Sequence, residues 1–236
     1  GSADIVTMSE TNSVVSVLLG LGNGAFQSKI DFAIAATPFS LELADANGDG
    51  NLDVIGATSA GASVLIGNGD GSFLPFTSYP TGADPRWVRA KDLSGDGRID
   101  IVTANYGNGT GSSVSVLLGV GDGTFGSRVD FVTGLGPRTI DVADLDRDGQ
   151  QDLVVTNDGD ARVSVLLGAG AATFVPKVDY VAAPPGSSLG QVVVGDLDGN
   201  GVPDLAVSTF LANSASVLLG NGDGTFRAGV DYPIAG

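Results

Sequence analysis

An acidic nine-residue loop recurs four times in this chain of 236 residues, and its period limits what the rest can become. The copies are Asp45–Asp53, Asp92–Asp100, Asp144–Asp152 and Asp196–Asp204, with starts spaced by 47, 52 and 52 residues. A second motif keeps step with the first: Val14–Gly20, Ala62–Gly67, Val114–Gly119, Val163–Gly168 and Ala215–Gly220. Each is followed by a glycine turn and then Phe26, Phe73, Phe125, Phe174 or Phe226. A fixed period of this length means that one supersecondary unit is stacked on its own copies.

Each unit reads as strand A, acidic loop, strand B, strand C, glycine-rich turn and strand D. In the second unit A spans about 39–44, B 52–58, C 62–67 and D 73–79. The β-branched runs after each loop, such as Asp53-Val54-Ile55 and Ile99-Asp100-Ile101-Val102, read as strands. No stretch carries a sustained helical period with caps. Four short antiparallel strands per unit predict an all-β fold, a β-propeller of four-stranded blades. A β-roll has a nonapeptide repeat, which this is not.

Ala3-Asp4-Ile5-Val6-Thr7 matches strand B, so the first blade is incomplete and about five blades are expected. They fall near 3–35, 36–82, 83–134, 135–184 and 185–236 in one domain, with Gly1-Ser2 reading as a cloning scar. The ring can close on an incomplete blade, belong to a larger propeller, or close through a second copy; a five-bladed single domain is preferred.

Within each loop, oxygen-bearing side chains stand at positions 1, 3, 5 and 9, with glycine at position 6 for the sharp turn. That spacing aims several oxygens at one point and suits calcium, a hard cation taking 6–8 of them. The candidate ligands are Asp45, Asn47, Asp49, Asn51 and Asp53, then Asp92, Ser94, Asp96, Arg98 and Asp100. The other two loops give Asp144, Asp146, Asp148, Gln150 and Asp152, then Asp196, Asp198, Asn200, Val202 and Asp204. About four ions are expected. An EF-hand needs a bidentate Glu at position 12, where this chain has Gly56, Thr103, Val155 and Val207.

The formal charge of −16 follows from 27 acids against 11 Lys and Arg, and 13 of the acids lie in the four loops. Nucleic acid and anionic membranes demand basic patches, so neither is an expected partner. No apolar run reaches the ~18 residues of a membrane-spanning helix, and membrane insertion is not expected. With no His and no Cys, a Ser/His/Asp or Cys/His catalytic site cannot be built from this chain. A non-enzymatic role is expected.

The pattern Asp-x-(Asp/Asn/Ser)-x-(Asp/Asn)-Gly-x-x-Asp, followed by Val-Ser-Val-Leu-Leu-Gly-x-Gly-Asp-Gly-Thr-Phe, resembles the FG-GAP/VCBS repeats. These occur in integrin α-subunit propellers and in many secreted bacterial proteins. The resemblance covers nearly the whole chain and implies a propeller with calcium in the A–B hairpins. The literal Gly-Ala-Pro signature is absent, which places the chain nearer the bacterial branch. Loops of this type generally bind calcium at extracellular concentrations, so a secreted or cell-surface protein is expected; some propellers resembling this family are fungal lectins.

Binding residues are expected on the face carrying the D–A and B–C connections, where loops vary most. Tyr106–Ser112 and Thr209–Asn213 are longer B–C loops, and Val181–Leu189 is a Pro-rich D–A loop. The exposed candidates are Arg86, Trp87, Tyr106, Arg138 and Phe210, which offer stacking surfaces and planar donor forks. Glu42, Arg89, Asp141 and Val193 share one register on strand A and predict a polar channel with Arg89 pairing to Glu42 or Asp141. The expected function is a calcium-binding extracellular module for carbohydrate or protein. The alternatives are a structural adhesion scaffold, or a glycosidase-like enzyme dependent on Glu42.

Overall fold

The computed structural model describes residues 2–210 and 213–234. It contains five antiparallel sheets arranged in chain order. The first has three strands, β1 (Ile5–Ser9), β2 (Val14–Leu18) and β3 (Ile30–Ala33). The second is β4 (Pro38–Ala44), β5 (Asp53–Thr58), β6 (Gly61–Leu65) and β7 (Thr77–Tyr79). The third is β8 (Pro85–Lys91), β9 (Asp100–Asn105), β10 (Ser113–Leu117) and β11 (Val129–Val132). The fourth is β12 (Pro137–Ala143), β13 (Asp152–Asn157), β14 (Arg162–Leu166) and β15 (Val178–Val181). The fifth is β16 (Leu189–Gly195), β17 (Asp204–Thr209), β18 (Ser214–Leu218) and β19 (Val230–Pro233). Each sheet is one propeller blade, and the five-blade reading with an incomplete first blade is what the chain adopts.

Blades are held to one another by apolar side chains on both sheet faces. Every residue of β5, β9 and β13 is buried, so their apolar residues come in unbroken runs (Val54-Ile55, Ile101-Val102, Leu153-Val154-Val155) rather than alternating with exposed ones. The strand D aromatic of one blade meets the turn phenylalanine of the next edge to face: Phe32 with Phe73 at 5.2 Å, Tyr79 with Phe125 at 5.3 Å, Phe131 with Phe174 at 5.0 Å and Tyr180 with Phe226 at 5.5 Å. Such pairs add about 1 kcal/mol each beyond the area they bury. Four of the five turn phenylalanines, Phe73, Phe125, Phe174 and Phe226, are therefore interblade packing.

Strand D is shorter than the sequence suggests. In the second blade Phe73 forms only an isolated bridge to Gly67, and the ladder resumes at Thr77. Pro75, which has no N–H to donate, lies in the gap. Along the channel, the innermost strands are tied side by side through their side chains. Ser40 Oγ accepts from Val88 N–H at 2.9 Å and Asp141 Oδ2 from Val194 N–H at 3.1 Å. Arg89 lies 3.5 Å from both Glu42 and Asp141, so the expected polar channel forms with both pairings at once.

Candidate functional site

The A–B loops and C–D turns share one face, and a single residue in each blade fastens them together. Asp53 is fully buried; its Oδ2 accepts from Ala46 N–H at 2.8 Å and its Oδ1 from Gly67 N–H at 2.8 Å. Asp100, Asp152 and Asp204 repeat the arrangement with Leu93 and Gly119, Leu145 and Gly168, and Leu197 and Gly220. Asp4 accepts from Gly20 N–H at 2.7 Å in the first blade. Burial pushes the carboxyls of Asp53 and Asp100 up, and that of Asp152 up to about 6, while the amide hydrogen bonds act in the opposite direction.

The remaining loop carboxylates turn the backbone. Asp45, Asp92, Asp144 and Asp196 each accept from the amide of the position-six glycine, at 2.8 to 3.0 Å. Asp45, Asp92 and Asp196 also accept from the position-four glycine. In the third loop Arg147 stands there, at φ 66°, and Asp144 Oδ1 is buried without a partner. Asp49, Asp96, Asp148 and Asn200 accept from the amides of Asn51, Arg98, Gln150 and Val202. Arg98 and Val202 have no side-chain oxygen and can offer a cation only their carbonyl groups.

Two loops hold compact carboxylate triads. Asp144, Asp146 and Asp152 bring one oxygen each within 4.8 Å of one another, as do Asp196, Asp198 and Asp204. Asn47 and Ser94 replace the position-three carboxylate in the other loops. The orphaned Oδ1 of Asp144 and the all-oxygen donor set fit a hard metal cation.

The opposite face carries a cleft of about 350 Å³ at the mouth of the channel. Arg86, Trp87, Tyr106 and Arg138 all line it, so the structure brings four of the five sequence candidates together. Phe210 lies outside that lining but stacks under Arg138, whose Cζ is 5.2 Å from its ring. Only Phe210 is as exposed as expected, at 57%; the other four are half-buried. Arg86 sits 3.9 Å above the Phe39 ring and 3.0 Å from Asp84. Arg138 reaches Asp158 at 3.4 Å and Ser188 at 3.3 Å. Trp87 packs against the interface between the third and fourth blades, and its indole N–H is buried without an acceptor. Of the predicted loop at 209–213, residues 211 and 212 lie outside the described residues.

Glu10, Phe39 and Thr139 complete the cleft and are absent from the sequence-derived set. Their placement has a local cause. The pairing of β4 with β5 skips from Pro38 to Ser40, that of β8 with β9 from Pro85 to Trp87, and that of β12 with β13 from Pro137 to Thr139. The skipped residues are Phe39, Arg86 and Arg138. A bulge re-aims the side chain of the extra residue, and here three such residues reach one cleft. The proline that opens strand A in these three blades is the sequence signal that marks them.

No functionally curated protein matches this sequence. Among solved structures, an Agrocybe aegerita lectin specific for non-reducing terminal N-acetylglucosamine is similar with a TM-score of 0.62 at 22% identity, over 97% of this chain and 66% of the lectin. The periplasmic gluconolactonase of Pseudomonas aeruginosa is similar with a TM-score of 0.65 at 21% identity, over 99% of this chain and 68% of that enzyme. The chain thus spans about two thirds of the length of these neighbours, and the likeness is one of fold. FG-GAP-like repeats match residues 1–56, 45–103, 92–155 and 144–207, and on these four overlapping units the chain belongs to the FG-GAP-like repeat family.

Proposed function

We propose that this propeller is a non-catalytic extracellular binding module whose channel-mouth cleft takes a saccharide. The observation that carries the reading is the convergence of three bulge residues, Phe39, Arg86 and Arg138, on one cleft beside Trp87 and Tyr106. Aromatic faces stack on sugar rings, and guanidinium groups donate to hydroxyls in a fixed plane. The similar fold of a lectin supports the reading.

Glu10 is the single carboxylate among the cleft-lining residues, whereas glycoside hydrolysis uses a pair of them. Glu42 is occupied by Arg89 and by the Ala90 amide. On the other face, the aspartates of the A–B loops would hold calcium, which offsets their mutual repulsion and stiffens the hairpins. Loops of this chemistry fill at extracellular calcium concentrations, which fits a secreted or cell-surface protein.

The test is a glycan array in millimolar calcium with wild-type protein and Arg138→Ala. Binding to one sugar class that is lost in the variant is the expected result. A blank array on folded protein overturns the saccharide reading.

A further inference from the structure

Arg86 and Arg138 are equivalent bulge residues of adjacent blades, and they differ in what their guanidinium edges meet. Arg86 turns its Nε–Nη2 edge to Asp84, whose Oδ2 is 3.0 Å from both nitrogens. Arg138 reaches Asp158 and Ser188 through Nη1 alone, at 3.4 and 3.3 Å. Its Nε and Nη2 have no acceptor among the described residues. The edge that Arg86 has filled from within the protein is open in Arg138.

The guanidinium of Arg138 is nevertheless held in place. Asp158 is fixed in turn by Ser188 Oγ and by Leu189 N–H, which donate to its Oδ1 at 2.8 and 2.9 Å. Phe210 supports the group, with its ring centroid 5.2 Å from Cζ. The fifth blade makes room for that ring: Gly190 stands in the register of Arg138, and a methyl group there would lie 3.1 Å from Phe210. A donor fork oriented before the ligand arrives gives up little freedom on binding.

The charge at the cleft runs against that of the chain. The protein carries −16, yet two arginines and one carboxylate, Glu10, line the cleft. Asp84 and Asp158 stand outside that lining, with side chains 14% and 15% exposed, whereas those of Arg86 and Arg138 are 35% and 38% exposed. The aspartates orient the guanidinium groups from behind, and the cations meet solvent.

We propose that the cleft selects a saccharide bearing a carboxylate, with the acid group seated on the open Nε–Nη2 edge of Arg138. A carboxylate presents two oxygens in one plane, which match the two parallel N–H groups of that edge, whereas a hydroxyl presents one oxygen. The proposal rests on the saccharide reading of the cleft and names the chemical class of the sugar.

The test is an array of uronate oligosaccharides and sialylated glycans, each beside its carboxyl-reduced neutral counterpart, with sulfated glycans as a further arm. Wild-type protein should bind the acid member of at least one pair about tenfold more tightly than its reduced counterpart, a difference then measured by titration calorimetry. Arg138→Gln removes the charge and Arg138→Lys keeps it without the fork; both should bring that ratio close to one, with wild-type circular dichroism. Equal binding of acid and reduced members overturns the acid preference and leaves the saccharide reading standing. Folded protein that binds no glycan overturns both. Binding of sulfated glycans alone overturns the carboxylate assignment. Acid binding that survives in both variants places the contact elsewhere, as for a calcium-bridged acid on the opposite face, and also overturns the proposal.

Discussion

Gly67 donates its backbone N–H to Asp53 across 2.8 Å, and this contact fastens the C–D turn of a blade to the loop between its A and B strands. The same carboxylate accepts from Ala46 with its other oxygen, so Asp53 serves the hairpin before any cation arrives. Asp53→Ala leaves two amides without acceptors and should cost about 3 kcal/mol even in chelator. Asp49 is exposed and caps only its own loop. Asp49→Ala should change the calcium-free stability by less than about 1 kcal/mol while reducing the gain on adding calcium. Urea denaturation of both variants, with calcium and with chelator, separates the two roles.

Metal-free protein should show an inverted pH response at Asp152. Burial, reinforced by Asp146 and Asp144, raises this carboxyl from 3.8 to about 6. Between those values the native state holds a proton that the unfolded chain has released. The contribution of Asp152 to stability therefore falls as pH rises from about 3.8 to about 6. A carboxyl-carbon NMR titration should place its midpoint near the upper value in chelator, and calcium should pull that midpoint down. A midpoint in the ordinary carboxylate range in chelator would contradict the burial argument.

The blade plan was legible because its signal is periodic: one loop, one Val-Ser-Val-Leu run and one turn phenylalanine at each step. The channel ion pairs were legible for the same reason, since Glu42, Arg89 and Asp141 share a register. The cleft was only partly so. Arg86, Trp87, Tyr106 and Arg138 stood out as residue types suited to binding, but Phe39 reads as one more strand aromatic. Its role depends on a bulge, and a bulge is decided by pairing between strands, which lies outside any single stretch. The two roles of Asp53 were hidden similarly: spacing marks it as a ligand, while the amide it accepts from is fourteen residues away.

Loss of a cleft residue should lower affinity without lowering stability. Arg138 is half-buried, and its partners Asp158 and Ser188 also bond to each other, with Ser188 donating at 2.8 Å. Arg138→Ala therefore leaves Asp158 with an acceptor role and should change stability by about 1 kcal/mol or less. A saccharide donor lost from the cleft should weaken binding about tenfold or more. Titration calorimetry with a bound sugar, beside a thermal melt, reads both quantities. Tyr106→Ala should behave in the same way, since the Tyr106 ring lies over the cleft and makes no interblade aromatic pair. Equal loss of stability and affinity in both variants would mark the cleft as structural.

The edge-to-face aromatic pairs should set the cohesion between blades, and the chain supplies its own control. Phe125 is 8% exposed and pairs with Tyr79, whereas Phe26 occupies the same register in the first blade at 39% exposure and has no such pair among the described residues. Truncation of a buried phenylalanine removes its burial and leaves a cavity, so Phe125→Ala should cost about 3 kcal/mol. Phe26→Ala should cost under about 1 kcal/mol, because water already reaches the ring. Amide hydrogen exchange adds a spatial readout: Phe125→Ala should speed exchange in β6, β7 and β10, on both sides of the junction it serves. Phe26→Ala should leave those strands unchanged. Similar losses from the two variants would mean that the turn phenylalanines act within their own blade, and that the junctions are held by the aliphatic rows alone.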